Sequence, residues 1–292
     1  MSLTAATPAR AAGRTVAWRQ PVALMLRYAV LILILLFALF PFIWTLAIAL
    51  TDKTAGTSIY AFPQSLFPQR VTLHNFVDVF RSFALGKALW NSVVITALTV
   101  LGTLLISALA AYPLARFRFP GSALIFGAIL ATLVLPSETT FIVNTLTLKK
   151  LGLLGTYGGV VIPTIAGAFG IFLMRQAFVS VPVALLEAAR LDGASELTIL
   201  TRIMLPLTKP SLAALGIFTT VTTWNAYFWP MLVLSGAPDK APMAVAVLKL
   251  KGQFNYDPFN IAAGAIIMML PVLIVFLAAQ RLFLRGMEGA VK

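Results

Sequence analysis

Six long stretches without a charged residue limit what this chain can fold into: 28–51, 88–115, 119–137, 151–174, 210–238 and 258–280. A helix needs about 20 apolar residues to cross the hydrocarbon core of a bilayer, and the buried helices of soluble domains are rarely so uniform. Inside lipid no water pairs the backbone N–H and C=O groups, so a spanning run of this length must satisfy them internally, as a helix does. The runs predict an all-α, polytopic membrane protein with six transmembrane helices. An even number of crossings puts both termini on one side. Composition agrees: 60% of the 292 residues are hydrophobic, against about 45–50% in a soluble domain.

The positions of the basic residues orient the spans. Of 22 Lys and Arg, thirteen fall on the side of the termini: Arg10, Arg14, Arg19, Arg27, Arg116, Arg118, Arg175, Arg190, Arg202, Lys209, Arg281, Arg285 and Lys292. The other nine fall on the opposite side, several of them in the long loop 52–87. Basic residues are retained on the cytoplasmic face, so both termini are expected in the cytoplasm. Residues 1–26 then form a cytoplasmic arm, 27–285 the membrane domain and 286–292 a cytoplasmic tail. The first apolar run is too long for a signal-peptide core of about 7–15 residues and reads as a retained helix. Pro41, Pro113, Pro136, Pro163, Pro230 and Pro271 lie in or at the ends of the runs, which predicts kinked spans.

The same inventory excludes several kinds of chemistry. The chain has no cysteine and one histidine, His74, so it offers no thiolate metal site and no histidine cluster. It contains no G-x-x-x-x-G-K-[ST] loop for a nucleotide. The apolar runs contain no paired carboxylates for an intramembrane enzyme. The +13 formal charge is spread over the loops that flank the spans, and no nucleic-acid partner is expected.

One polar stretch interrupts this pattern, EAARLDGASELTILTRIMLP at 187–206. Pro182 can open a helix over 183–192, Ala188 and Ala189 favour it, and Gly193 is placed to end it in the left-handed region. Ser195 can cap a second helix, in which Leu197, Leu200, Ile203 and Leu207 recur on one face. The expected product is a rigid helix–turn–helix on the cytoplasmic side, a shape suited to the groove of a partner protein.

The pattern E-A-A-x3-G-x9-I-x-L-P, carried by Glu187, Ala188, Ala189, Gly193, Ile203, Leu205 and Pro206, resembles the EAA loop of ATP-binding-cassette importer permeases. The flanking segments 151–178 and 205–234, with a Trp-Asn pair at Trp224 and Asn225, resemble the carbohydrate-importer branch of maltose-permease type. So does the ending GAVK. The resemblance implies a type I importer permease fold, with a coupling loop at 181–208. It implies that the chain is one non-catalytic half of a transport pathway in the cell inner membrane. The implied partners are a second, homologous permease subunit, two cytosolic ATPase subunits that bind ATP and Mg, and an extracytoplasmic solute-binding protein. The implied substrate is a carbohydrate, with glycerol phosphate or a peptide as the alternative. Glu187, Ala188, Ala189, Asp192 and Gly193 become the expected ATPase-coupling residues. Gly286, Gly289 and Lys292 become candidates for an ATPase contact by the tail.

Candidates for the substrate pathway come from the fifth run. Trp224, about 21 Å along a helix counted from Pro210, Asn225 and Tyr227 offer an aromatic face and hydrogen-bonding groups to a sugar. Interfacial anchoring explains the aromatic residues equally well. Glu138 is the one acid within a span-like stretch and is a further candidate.

Overall fold

In the computed structural model, described over residues 19–56, 58–82, 85–250 and 257–288, three helices cross without a break. These are α1 (Arg19–Leu50), α3 (Leu85–Arg116) and α14 (Pro258–Glu288), with the short α2 (His74–Ser82) between the first two. The apolar windows are Leu24–Leu50, Leu85–Arg116 and Pro258–Ala278. Pro41, Pro113 and Pro271 sit inside these three helices without interrupting them.

The remaining apolar runs are bent pairs, each broken where the local sequence cannot continue a helix. The first pair is Ser122–Val134, containing α4 (Ser122–Ala131), with Glu138–Lys150, containing α5 (Phe141–Lys150); it turns by 94°. Pro136 sits at that turn in an extended conformation. The second pair, Tyr157–Thr164 and Ala168–Val179, contains α6 (Tyr157–Val161) and α7 (Ala168–Val179) and bends by 48°. Next come α8 (Val183–Leu191), α9 (Glu196–Ile199), a π turn at Leu200–Met204, α10 (Leu205–Leu207) and α11 (Lys209–Trp224). The segment Glu196–Leu207 meets α11 at 79°. Counting each bent pair as one span gives up to six among the described residues.

The fifth run is not one continuous helix. It stops at Trp224, resumes as α12 (Phe228–Val233) and is followed by α13 (Met243–Lys249). Pro230 falls in the first turn of α12, where a missing N–H breaks no helical hydrogen bond.

Packing divides into three clusters of buried side chains. At one end, Ala49, Val79, Leu85, Ala88, Met243, Ala263 and Ile267 join α1, α2, α3, α13 and α14. At the opposite end, Tyr112, Met174, Phe178, Leu186, Ile199, Met204 and Leu215 join α3 and α7 to α8, α9 and α11. A third cluster joins α3, α5, α6 and α12 through Ile95, Leu148, Val160, Trp229 and Val233. Helices α3 and α7 approach most closely at Gly170, where a Cβ would stand 2.3 Å from Ser107 Oγ. Small residues bring helix backbones close, and close packing drives association where lipid is as apolar as the side chains.

Candidate functional site

The polar stretch folds as its sequence predicts in its turn, and differently on one face. Helix α8 ends in a Schellman motif. The Gly193 N–H donates to the Arg190 carbonyl at 3.0 Å and the Ala194 N–H to the Ala189 carbonyl at 2.9 Å. Gly193 takes φ 81° and its missing Cβ faces open space, so the requirement for glycine is conformational, not steric. Ser195 caps α9 by accepting from the Thr198 N–H. Pro182 stands one position earlier than expected, as the N-cap of α8.

The two alanines of the motif part company. Ala189 turns inward and packs with Ala194 against the buried cluster, whereas Ala188 faces outward with Glu187 and Asp192. Leu186, 1% exposed, anchors the helix from beneath. Opposite it Leu185, Ala188 and Leu191 form an outward stripe, with Leu191 89% exposed. The second arm is corrected relative to its expected apolar face. Leu197 and Leu207 are exposed, and Ile199, Leu200 and Met204 are buried instead. The π turn at Leu200–Met204 widens the helix by one residue and rotates everything after it, so a 3.6-residue period read across it selects the wrong side.

Electrostatic links, not anticipated from sequence, tie this loop to α3. Arg190 Nε donates to Glu196 Oε1 at 2.9 Å across the turn, and the Tyr112 hydroxyl donates to Glu196 Oε2 at 2.5 Å. Hydrogen bonds from Arg190 and then Tyr112 hold the Glu196 carboxyl below its usual pKa of 4.5, and Glu196 in turn raises Arg190. Four residues on from Tyr112, Arg116 Nη2 donates to the carbonyls of Phe178 and Val181, closing the end of α7. The available signal was a Tyr and an Arg one turn apart at the end of a long apolar run.

Between α3, α5, α7, α11 and α12 lies a cavity of about 410 Å³, within the range of about 300–1,000 Å³ typical of small-molecule sites. Its polar lining is Thr99, Thr103, Thr140, Asn144, Thr164, Thr219, Thr222 and Thr223, and no charged side chain borders it. Phe169, Phe218 and Trp229 supply aromatic walls. The Trp229 indole N–H is engaged by the Val160 carbonyl at 3.1 Å. The hydroxyls of Thr99 and Thr103 are buried without a hydrogen-bond partner. An unpaired buried hydroxyl costs about 1–3 kcal/mol, so two on one wall need an explanation.

None of the four pathway candidates borders this cavity; their neighbours do. Trp224 is buried against α14, its Nε1 donating to the Met268 carbonyl at 2.9 Å. Asn225 caps α11 and donates to the Val221 carbonyl at 2.8 Å. Tyr227 is half-buried at the start of α12. Glu138 lies exposed in the turn Ser137–Thr140. The break after Trp224 re-aims the chain, so Thr222, Thr223, Ala226 and Trp229 face the cavity instead. Gly289 and Lys292 lie outside the described residues, and Gly286 falls within α14.

An all-helical membrane body that carries a rigid, water-facing knob at one end and an uncharged cavity at its centre is the architecture of a transport subunit. The family of binding-protein-dependent transport system inner membrane components matches residues 102–289, and the chain belongs to it, as a non-catalytic ABC importer permease of the inner membrane. It is 32% identical over 272 residues to the sn-glycerol-3-phosphate transport system permease protein UgpE of Escherichia coli O157:H7, covering 91% of this chain and 96% of that one. It is 35% identical over 232 residues to the arabinooligosaccharides transport system permease protein AraQ of Halalkalibacterium halodurans, covering 77% and 81%. Among solved structures, a chain of a bacterial ABC transporter involved in the import of the acidic polysaccharide alginate superposes with a TM-score of 0.78. That chain is 27% identical, over 91% of this chain and 98% of its own.

Proposed function

We propose that this permease forms half of the translocation pathway for a neutral carbohydrate, and that its substrate crosses through the threonine-lined cavity. The observation that carries the reading is the lining itself: hydroxyls and one amide, aromatic walls and no charge. Sugar hydroxyls both donate and accept, as threonine does, and the unpaired Thr99 and Thr103 hydroxyls offer partners. An anion such as glycerol phosphate would lose its hydration in this chamber with no cation from this chain to replace it. The relatives that handle arabinooligosaccharides and alginate support a saccharide.

The EAA loop is the proposed coupling element, facing the cytoplasm together with both termini. Its outward stripe of Leu185, Ala188 and Leu191, flanked by Glu187 and Asp192, fits the cleft of a cytosolic ATPase. Two such ATPase subunits would bind ATP and Mg, a second permease would complete the pathway, and a binding protein would deliver the sugar. The known subunit types of the family and the rigidity of the Schellman turn support this arrangement, because a rigid helix transmits displacement where a loop would absorb it. The tail residues Gly289 and Lys292 are proposed as a further ATPase contact.

Reconstitution of the assembled importer tests the substrate class. ATP-driven uptake of a labelled neutral oligosaccharide, uncompeted by glycerol phosphate, is the expected result. Uptake of glycerol phosphate in preference would overturn the neutral-sugar reading.

A further inference from the structure

Residues 54–69 contain no charged side chain, although they belong to the long loop that the sequence places outside the bilayer. The structure folds this stretch back along α1. Trp44 Nε1 donates to Ser65 Oγ at 3.1 Å, and the ring of Phe62 meets Phe40 edge-on with centroids 6.1 Å apart. Helix α1 ends at Leu50. At 1.5 Å per residue, Trp44 lies about 9 Å and Phe40 about 15 Å back from that end. An ionic layer marks the polar level above them, with Lys53 Nζ at 3.1 Å from Asp78 and 3.5 Å from Asp257. The loop therefore descends from a charged layer to the flank of an apolar helix.

Its surface suits that position. Tyr60, Phe62 and Phe67 are 79%, 61% and 73% exposed, and they adjoin the exposed Phe37, Phe40 and Ile43 of α1. Its backbone is largely self-contained. The N–H groups of Ala61, Phe62, Ser65, Leu66 and Phe67 donate to carbonyls within the loop, and that of Tyr60 to Ser58 Oγ. Pro63 and Pro68 have no N–H to satisfy. Burying the aromatic rings costs little in unpaired donors, which is the condition a segment must meet to sit at the edge of lipid.

We propose that residues 58–69 form an interfacial foot, with Tyr60, Phe62 and Phe67 seated at the headgroup–acyl boundary of the leaflet opposite the coupling loop. Aromatic rings concentrate at that boundary. Lipid is the occupant because the patch continues the exposed apolar face of α1 and carries no charge to orient a protein. The foot fixes the depth and tilt of α1, whose 32 residues extend about 48 Å and exceed a hydrocarbon core of about 30 Å.

The absence of cysteine makes the test direct. Single variants Tyr60→Cys, Phe62→Cys, Phe67→Cys and, on exposed α2, Arg81→Cys are labelled with bimane in the full chain. They are placed in nanodiscs of phosphatidylcholine, with its co-purifying partners bound. Doxyl groups on the shallow acyl positions should quench positions 60, 62 and 67, while iodide in the water quenches position 81 alone. Iodide quenching at the three loop positions would overturn the proposal in favour of a solvated loop. Protection of those positions from both quenchers would overturn it in favour of a protein cover. Using three loop positions keeps the test decisive if one variant fails to assemble.

Discussion

The Tyr112 hydroxyl, in the last turns of a membrane-spanning helix, donates to the Glu196 carboxylate of the EAA loop at 2.5 Å. One bond thus joins a helix of the translocation domain to the element proposed to receive the ATPase stroke. Arg190 holds the other carboxylate oxygen, so both arms of the loop share a single anchor. Both charged partners are more than a third exposed, at 39% and 44%, and the pair contributes mainly geometry; exposed pairs are worth about 0.2–1 kcal/mol.

Tyr112→Phe removes the phenol and keeps the ring. After a discount for the exposure of Glu196, the expected loss of stability is about 1 kcal/mol. The larger expected effect is on coupling: sugar transported per ATP hydrolysed should fall in proteoliposomes, with membrane insertion unchanged. An unaltered ratio would show that the link is dispensable.

Acid should weaken the same anchor. The Glu196 carboxyl is held below its ordinary 4.5 by Arg190 and Tyr112. A depressed carboxylate stabilises the fold in full above its unfolded pKa, and that contribution disappears as pH falls through the folded value. The difference in Tm between the wild type and Glu196→Gln should therefore be constant from neutral pH to about 5 and shrink below 4.5. Thermal melts in detergent across that range measure it.

Gly193 is required for its backbone alone. Gly193→Ala should cost about 1 kcal/mol, the price of a left-handed residue with a Cβ, and Gly193→Asn less. Gly193→Val, β-branched, should leave insertion intact and abolish coupled transport. The graded order Gly, Asn, Ala, Val in transport per ATP is the signature to measure; equal coupling in all four would contradict it.

The packing of α3 on α7 predicts a compensating pair. Gly170→Ala places a Cβ 2.3 Å from Ser107 Oγ and 3.3 Å from Ser107 Cβ. Overpacking of this kind costs about 1–3 kcal/mol. Adding Ser107→Gly should restore most of the loss in a double-mutant cycle of Tm, and an additive result would locate the strain elsewhere.

These residues also show what the sequence made legible. The long apolar runs, the Gly193 turn and the Ser195 cap are local rules, and each appears in the structure. The breaks at Pro136 and after Trp224 depend on tertiary partners: Trp224 stays buried because α14 offers it the Met268 carbonyl. Phase was lost at the π turn, where one extra residue moves the buried face from Leu197 and Leu207 to Ile199, Leu200 and Met204. The cavity was invisible because threonines on α3, α5 and α11 converge only after folding. The pairing of Tyr112 with Glu196 spans 84 positions, beyond the reach of any periodicity.

Removing single hydroxyls from the cavity wall tests the central claim most directly. Thr99→Val and Thr103→Val replace buried, unpartnered hydroxyls with methyl groups of the same shape. Deleting an unsatisfied group is neutral or stabilising, so Tm should hold or rise. If those hydroxyls meet the passing sugar, each substitution should slow ATP-driven uptake in proteoliposomes by roughly tenfold, the value of one hydrogen bond of about 1.4 kcal/mol. Unchanged uptake with unchanged stability would place the pathway outside this cavity and contradict the account.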